Sequence, residues 1–215
     1  MVTRLTLLHT SPVHVPVFDA LRDRDHPEAV LRHLVAPELL DRARAQGPDA
    51  AAGGLVALLA GSADPVLVTC STIGAVAESL APELGVPVLR VDRPMAAQAV
   101  RTGPRIAVLA TVESTLAPTV ALLAEEADRA GRPVSVTTHL IAGAWSRFEA
   151  ADTEGYLALV ARAADGVTEA DAMVLAQASM ADATLLTRTS TPILASPPHG
   201  LAAAVRAARQ GTVRP

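Results

Sequence analysis

Three short segments carry side chains whose types and spacing can do chemistry: Thr69-Cys70-Ser71-Thr72, Ala110-Thr111-Val112-Glu113-Ser114-Thr115 and Ala176-Gln177-Ala178-Ser179-Met180-Ala181. Each closes an apolar run and opens an amphipathic one, the pattern of a strand running into a helix. A helix start offers unpaired backbone N–H groups and a partial positive charge. Such a turn binds a carboxylate and favours a thiolate over a thiol. Cys70 is the single cysteine of the chain; at this turn it can act as acid/base or nucleophile. The competing reading is a small buried hydrophobe. Ser71 or Thr72 can cap the helix. Thr10 and Ser11 end the first apolar run, and with Thr111, Ser114 and Thr115 they form a set of neutral donors for a small anion. Ordinary N-capping, with Glu113 complementing the dipole, is the alternative for these hydroxyls. Gln177 does not titrate, so it can orient a substrate but not move a proton. Ser179 shares its turn.

The histidines are His9, His14, His26, His33, His139 and His199. None has metal-ligand spacing on a shared face, and no metal is expected. His9 and His139 fall on expected strands and are the acid/base candidates; a satisfied structural histidine is the alternative for each. His26 and His33 read as surface or packing residues. Asp92-Arg93-Pro94-Met95 follows a strand and either places an ion pair at the junction of two lobes or forms a plain turn. The run Glu125-Glu126-Ala127-Asp128-Arg129 reads as a solvated helix face.

The elements that must position these groups alternate along the chain. Strands are expected over Leu5–His9, Ala29–Val35, Val66–Cys70, Val88–Val91, Ile106–Ala110, Val134–Leu140, Met173–Gln177 and Ile193–Ala195. Several are unbroken Val/Leu/Ile runs, as in strands buried on both faces. Helices are expected over Pro16–Arg22, Pro37–Gln46, Ala50–Leu59, Ile73–Leu84, Thr115–Ala130, Gly155–Ala164, Met180–Leu186 and Leu201–Gln210, with a short polar helix near Pro94–Arg105. Alternating β and α elements imply an α/β fold with mostly parallel sheets flanked by helices and right-handed crossovers.

The chain also repeats itself. Thr10 and Cys70 lie 60 positions apart, and Thr111 and Gln177 lie 66 apart, each pair at strand ends. The expectation is two pseudo-symmetric lobes, 1–97 and 98–197, with a ligand cleft between them at the C-terminal ends of the strands. A C-terminal helix, 198–215, is expected to pack back on the first lobe.

Bulk composition excludes several classes. The chain has 215 residues, 50% hydrophobic but only 2% aromatic, so its core must come from Ala, Val and Leu. Mean hydropathy is positive, yet the longest nearly unbroken apolar run, Ala50–Gly61, is too short for a bilayer. The N-terminal run meets Thr10-Ser11-Pro12, which reads as a strand end and not as a cleavage region. A soluble cytoplasmic protein is expected, with no membrane partner. A net charge of −4 and so few aromatics give no case for nucleic acid. One cysteine excludes an internal disulfide and a thiolate zinc cluster. The chain contains no lysine, which argues against a pyridoxal phosphate Schiff base and a P-loop. No G-x-G-x-x-G fingerprint marks a dinucleotide site.

With these residues in view, the chain resembles the aspartate/glutamate/hydantoin racemase superfamily over nearly its whole length. The resemblance rests on Cys70-Ser71-Thr72, Asp92-Arg93-Pro94-Met95, Ala110-Thr111 with Ser114-Thr115, and Leu175-Ala176-Gln177-Ala178-Ser179-Met180-Ala181, in that order. It implies a cofactor-independent enzyme in which two cysteines face each other across a substrate's α-carbon, one removing a proton and the other returning one. Hydroxyls and backbone amides hold the carboxylate and spread the enolate charge. Carried over, Cys70 matches the first cysteine, and Ser71, Thr72, Thr111, Ser114 and Thr115 match carboxylate-holding positions. Gln177 stands where the second cysteine belongs. Three outcomes stay open: a histidine such as His9 or His139 as second base; a one-thiol decarboxylase or lyase like the arylmalonate decarboxylases, whose cysteine resembles the second position; or a binder of small carboxylates without turnover. The expected partner is a small carboxylate of the amino acid or hydantoin class. A homo-oligomer stays open, since such proteins often pair.

Overall fold

The computed structural model describes residues 3–211. In chain order the elements are β1 (Thr3–His9), α1 (His14–Asp25), β2 (Ala29–Val35), α2 (Pro37–Gln46), α3 (Ala52–Leu59), β3 (Val66–Val68), α4 (Ser71–Ser79), α5 (Ala81–Leu84) and β4 (Val88–Arg90). There follow α6 (Arg93–Thr102), β5 (Arg105–Ala110), α7 (Leu116–Ala130), β6 (Ser135–Leu140), α8 (Ala144–Glu149), α9 (Thr153–Asp165), β7 (Ala172–Leu175), β8 (Ile193–Ala195) and α10 (Ser196–Gly211). Short 3-10 turns occupy Pro48–Ala51, Glu113–Thr115 and Ala178–Leu185. The last four positions of the expected 198–215 segment lie outside the described residues. Contacts divide the chain into two compact units, Met1–Asp92 with Pro197–Pro215, and Arg93–Ser196.

The first unit holds a four-stranded parallel sheet in the order β2-β1-β3-β4. Period-two alternation decides what each face buries. Leu8, Val66 and Val68 pack with Leu39, Leu55, Leu59, Ile73 and Ala77 of α2, α3 and α4. Leu5, Leu7 and Leu67 point the other way, onto Phe18 and Leu21 of α1 and Leu201, Ala204 and Val205 of α10. The second unit repeats the order as β6-β5-β7-β8, again all parallel. There Ile106, Val108 and Val174 face Met95 and Val100 of α6 and Leu122 and Leu123 of α7. Ala107, Leu109, Met173 and Leu175 face Tyr156 and Val160 of α9. Both units are therefore helix–sheet–helix sandwiches, as strand runs without polar alternation require.

Several local differences from the sequence expectation have physical causes. The expected Ile73–Leu84 helix is interrupted at Leu80, because Pro82 lacks an N–H and crowds the preceding turn. The segment expected as helix over Met180–Leu186 winds as 3-10 turns, tightened by the Thr184 hydroxyl donating to Ala181 O at 2.8 Å. Helix α8 was not expected: it is only six residues long and starts from Gly143 in the left-handed region, φ 75°. Helix α7 stops where expected, since Gly131 adopts φ 61° and the Arg132 and Gly131 N–H groups close back on Ala127 and Asp128 O at 3.0 and 3.1 Å. The Glu125–Arg129 run is not a fully solvated face. Glu126 is buried and accepts Arg93 at 2.6 Å and Arg129 at 3.3 Å. Among the described residues no helix is long and apolar enough to cross a membrane.

Candidate functional site

In the first unit, register fixes which residues meet at the C-terminal end of the sheet. Leu8 pairs with Val68, and Val68 with Arg90. The Thr69 N–H donates to Leu8 O at 2.9 Å and the Val91 N–H to Val68 O at 3.0 Å, so the ladder runs one step past the strands. Two positions beyond the Leu8–Val68–Arg90 row stand Thr10, Cys70 and Asp92. Side-chain period two returns them to the face of Leu8 and Val68, and Cys70 packs in that same cluster. Cys70 has extended backbone, φ −114° and ψ 118°, as the residue that caps α4. It is 9% exposed and has no disulfide partner. Ser71 and Thr72 form the first turn of α4 and are half-buried, as is Ser11 on the β1–α1 turn; Thr10 is buried. This end of the unit thus gathers Thr10, Ser11, Cys70, Ser71 and Thr72.

His9 and Thr69 point to the opposite face, where they form a buried brace. The Thr69 hydroxyl donates to Leu8 O at 3.1 Å and stands 2.9 Å from His9 Nδ1. With that hydroxyl proton committed, His9 donates from Nδ1 and accepts at Nε2, where His33 Nδ1 lies 2.8 Å away. His33 Nε2 continues to Asp19 Oδ1 at 3.4 Å. Burial, and then the neighbouring His33 and His14, lower the His9 pKa to about 3. His9 is therefore neutral with both nitrogens engaged, which suits a brace and leaves no lone pair for a substrate proton. His14, on the first turn of α1, has a buried Nδ1 without a hydrogen-bond partner, and burial lowers its pKa to about 4.

Asp92 does make an ion pair, with Arg90, the last residue of β4. Arg90 Nε and a terminal nitrogen grip the two carboxylate oxygens at 2.9 and 3.0 Å, both side chains almost fully buried. Arg90 lies against α4 at Gly74. A Cβ there would come within 3.2 Å of Arg90 Nε and 3.3 Å of its Cβ, so a larger residue would require the arginine stem to give by a few tenths of an ångström. Arg93 turns away to Glu125 and Glu126.

The second unit builds the same strand end from different side chains. Leu109 pairs with Leu175, and the Ala176 N–H donates to Leu109 O at 2.9 Å. Thr111 and Gln177 therefore occupy the register positions that Thr10 and Cys70 hold in the first unit, and Ala110 and Ala176 those of His9 and Thr69. Gln177 Oε1 is locked. It accepts the Thr111 N–H at 2.7 Å, the Thr111 hydroxyl at 2.9 Å and the Val112 N–H at 3.3 Å. Three donors on one atom identify it as the oxygen and leave the NH₂ pointing out of the nest. Beyond Thr111, the buried Tyr156 hydroxyl lies 3.5 Å from Thr111 Oγ1 and 2.8 Å from Ser179 Oγ. Burial pushes this phenol's pKa up, against the pull of its bonds to Ser179 and Thr111. The remaining candidates do not join the group. Thr115 is buried and its hydroxyl returns to Val112 O at 2.7 Å, while Ser114 is exposed. His139 is exposed on the edge strand β6, two strands from β7, its nearest polar neighbour being Thr137 Oγ1 at 3.5 Å.

Tyr156, Arg90 and His14 were given no role by the sequence, and the lock on Gln177 was not foreseen. Tyr156 is the only tyrosine of the chain and falls on the apolar face of α9, where it reads as core. Arg90 shares a strand face with Asp92 by simple alternation, a signal that was available. The His14 nitrogen and the Gln177 lock depend on non-local register. Among the described residues no group of three or more His, Cys, Asp or Glu side chains is arranged to hold a metal.

A family model described as Asp/Glu/Hydantoin racemase matches residues 13–208. No curated protein matches the chain in sequence. Among solved structures the fold is similar to an allantoin racemase from Klebsiella pneumoniae, with TM-score 0.69 and 18% identity over 97% of this chain and 89% of that one. A glutamate racemase isoform from Bacillus anthracis gives TM-score 0.68 and 15% identity over 97% and 83% of the two chains. Arylmalonate decarboxylase gives TM-score 0.61 and 15% identity over 97% and 93%.

Proposed function

The chain belongs to the Asp/Glu/hydantoin racemase family, and from that premise we propose a cofactor-independent enzyme that moves a proton at the carbon α to a carboxylate or carbonyl of a small acid, with Cys70 as its one thiol acid/base. The observation that carries this reading is the contrast between two equivalent strand ends: one presents a thiol, the other a glutamine whose oxygen is spent on three local donors. Thr10, Ser11, Ser71, Thr72 and the N–H groups opening α4 stand at the same strand end as Cys70 and hold the substrate carboxylate.

In the forward step the Cys70 thiolate takes the α-proton, and the C–H electron pair passes into an enediolate held by those donors. The thiol returns a proton to the same face. Inversion needs a second titratable group on the opposite face, and the polar side chains gathered with Cys70 at its strand end are hydroxyls only. One-face exchange is therefore the favoured outcome over racemisation. The same constellation suits a decarboxylase: a malonate-type acid releases carbon dioxide, the C–C pair becomes the enediolate, and the Cys70 thiol protonates it before solvent restores the thiol. The Gln177 lock favours this second reading equally, because it also needs one thiol.

Proton NMR in D₂O of amino acids, hydantoins and malonates with the protein, beside C70A, tests the proposal. Cys70-dependent α-deuteration or carbon dioxide release is expected. Silence across the set, with ligand-induced shifts preserved, would identify a binder.

A further inference from the structure

Cys70 is not alone on its face of the sheet. Arg90 ends the adjacent strand level with Val68, and Asp92 lies two positions beyond it, where the same register continued brings it level with Cys70. Neighbouring strands run about 5 Å apart. Arg90 also lies against α4 at Gly74, in the opening turn of the helix that Cys70 caps. A buried bidentate pair is a poor source of net stability, since desolvation offsets its attraction. Its placement calls for another role.

We propose that Arg90 and Asp92 are positioning residues for Cys70, a charge-balanced pair whose mutual cancellation sets the potential at the thiol. The inference rests on the reading of Cys70 as the reactive thiol. Asp92 alone would oppose thiolate formation; Arg90 alone would promote it. Gripped together they present the thiol with a rigid, nearly neutral wall and leave the opening turn of α4 to act on the sulfur. The other charges on elements packed there are less favourably placed. Glu38, Asp41, Arg42 and Arg44 of α2 are exposed. Glu78 is two turns along α4, α3 carries no charged residue, and His9 points to the opposite face. His14, on α1, is neutral at physiological pH.

Because the chain has one cysteine, iodoacetamide labelling of the full-length folded protein against pH reports this thiol alone. Asp92→Asn leaves Arg90 uncancelled and should lower the labelling midpoint by about one pH unit. Arg90→Gln leaves Asp92 uncancelled and should raise it by a similar amount. The double variant should return within about 0.3 unit of the parent, since the two effects cancel. Should a single variant fail to fold by circular dichroism, Arg90→Lys carries the test. It keeps the charge but cannot grip both oxygens, and should raise the midpoint by about half as much. Shifts of the same sign, or no shift in folded variants, overturn the pair's role. A parent thiol that never labels while folded overturns the reading beneath it.

Discussion

The two strand ends share a backbone plan and differ in how their polar groups are spent. In the first unit the inward row is closed by His9, Thr69 and His33, a brace on the face opposite Cys70. In the second the positions of His9 and Thr69 are held by Ala110 and Ala176, and the row that matches Cys70 is closed by Gln177 on its own nest. Polar satisfaction lies on the face opposite Cys70 in one case and at the position equivalent to Cys70 in the other. The lesson is that a repeated topology does not imply repeated chemistry: the same parallel order leaves the choice of reactive group to a few side chains at the turns.

The comparison breaks most visibly at Cys70. Replacement by Ala should reduce any α-carbon exchange by about 100- to 10,000-fold or more, the range for loss of an acid/base group, while circular dichroism stays unchanged. Equal turnover by C70A would assign the chemistry elsewhere.

The brace sharpens the comparison through pH. His9 and His14 have folded pKa values of about 3 and about 4 against an ordinary 6.5. The native state holds them neutral, whereas the unfolded chain takes up protons below 6.5. Stability is therefore complete above about pH 7 and falls as pH drops toward 3, at up to about 1.4 kcal/mol per pH unit for each histidine. Urea denaturation from pH 8 to 4 should show this decline, and H9N should lessen it. A flat profile would contradict the neutral brace.

In the second unit, Q177A strands two N–H groups and a hydroxyl and should cost about 1–3 kcal/mol. Q177E keeps an acceptor in the nest and should melt close to the parent; equal losses from both would mean that the nest does not depend on an oxygen there. The smallest effect is expected from Y156F, about 1 kcal/mol for one hydroxyl's bonds, measured by thermal melting.

Much of this fold was legible in the chain. The bounds of β2, α2 and β8 coincide with the periodic runs that announced them, because these runs carry their own start signals, such as Pro37 opening α2. What was not legible depends on who sits beside whom. Gln177 looks like an orienting residue until β5 and β7 are adjacent; only then do the Thr111 and Val112 donors reach it. His33 reads as packing until β2 pairs with β1 and brings it to His9. Thr10, Cys70 and Thr111 were singled out by residue type at strand ends, which local pattern reveals. How their hydrogen bonds are allotted is a non-local property.

The central claim is that Cys70, the one thiol of the chain, moves a proton on one face of the substrate only. The direct measurement follows deuterium incorporation and optical rotation together on single enantiomers of a responsive acid in D₂O. Cys70-dependent deuteration with rotation preserved is the predicted result. Loss of rotation at the rate of deuteration would reveal a second acid on the opposite face and contradict the claim.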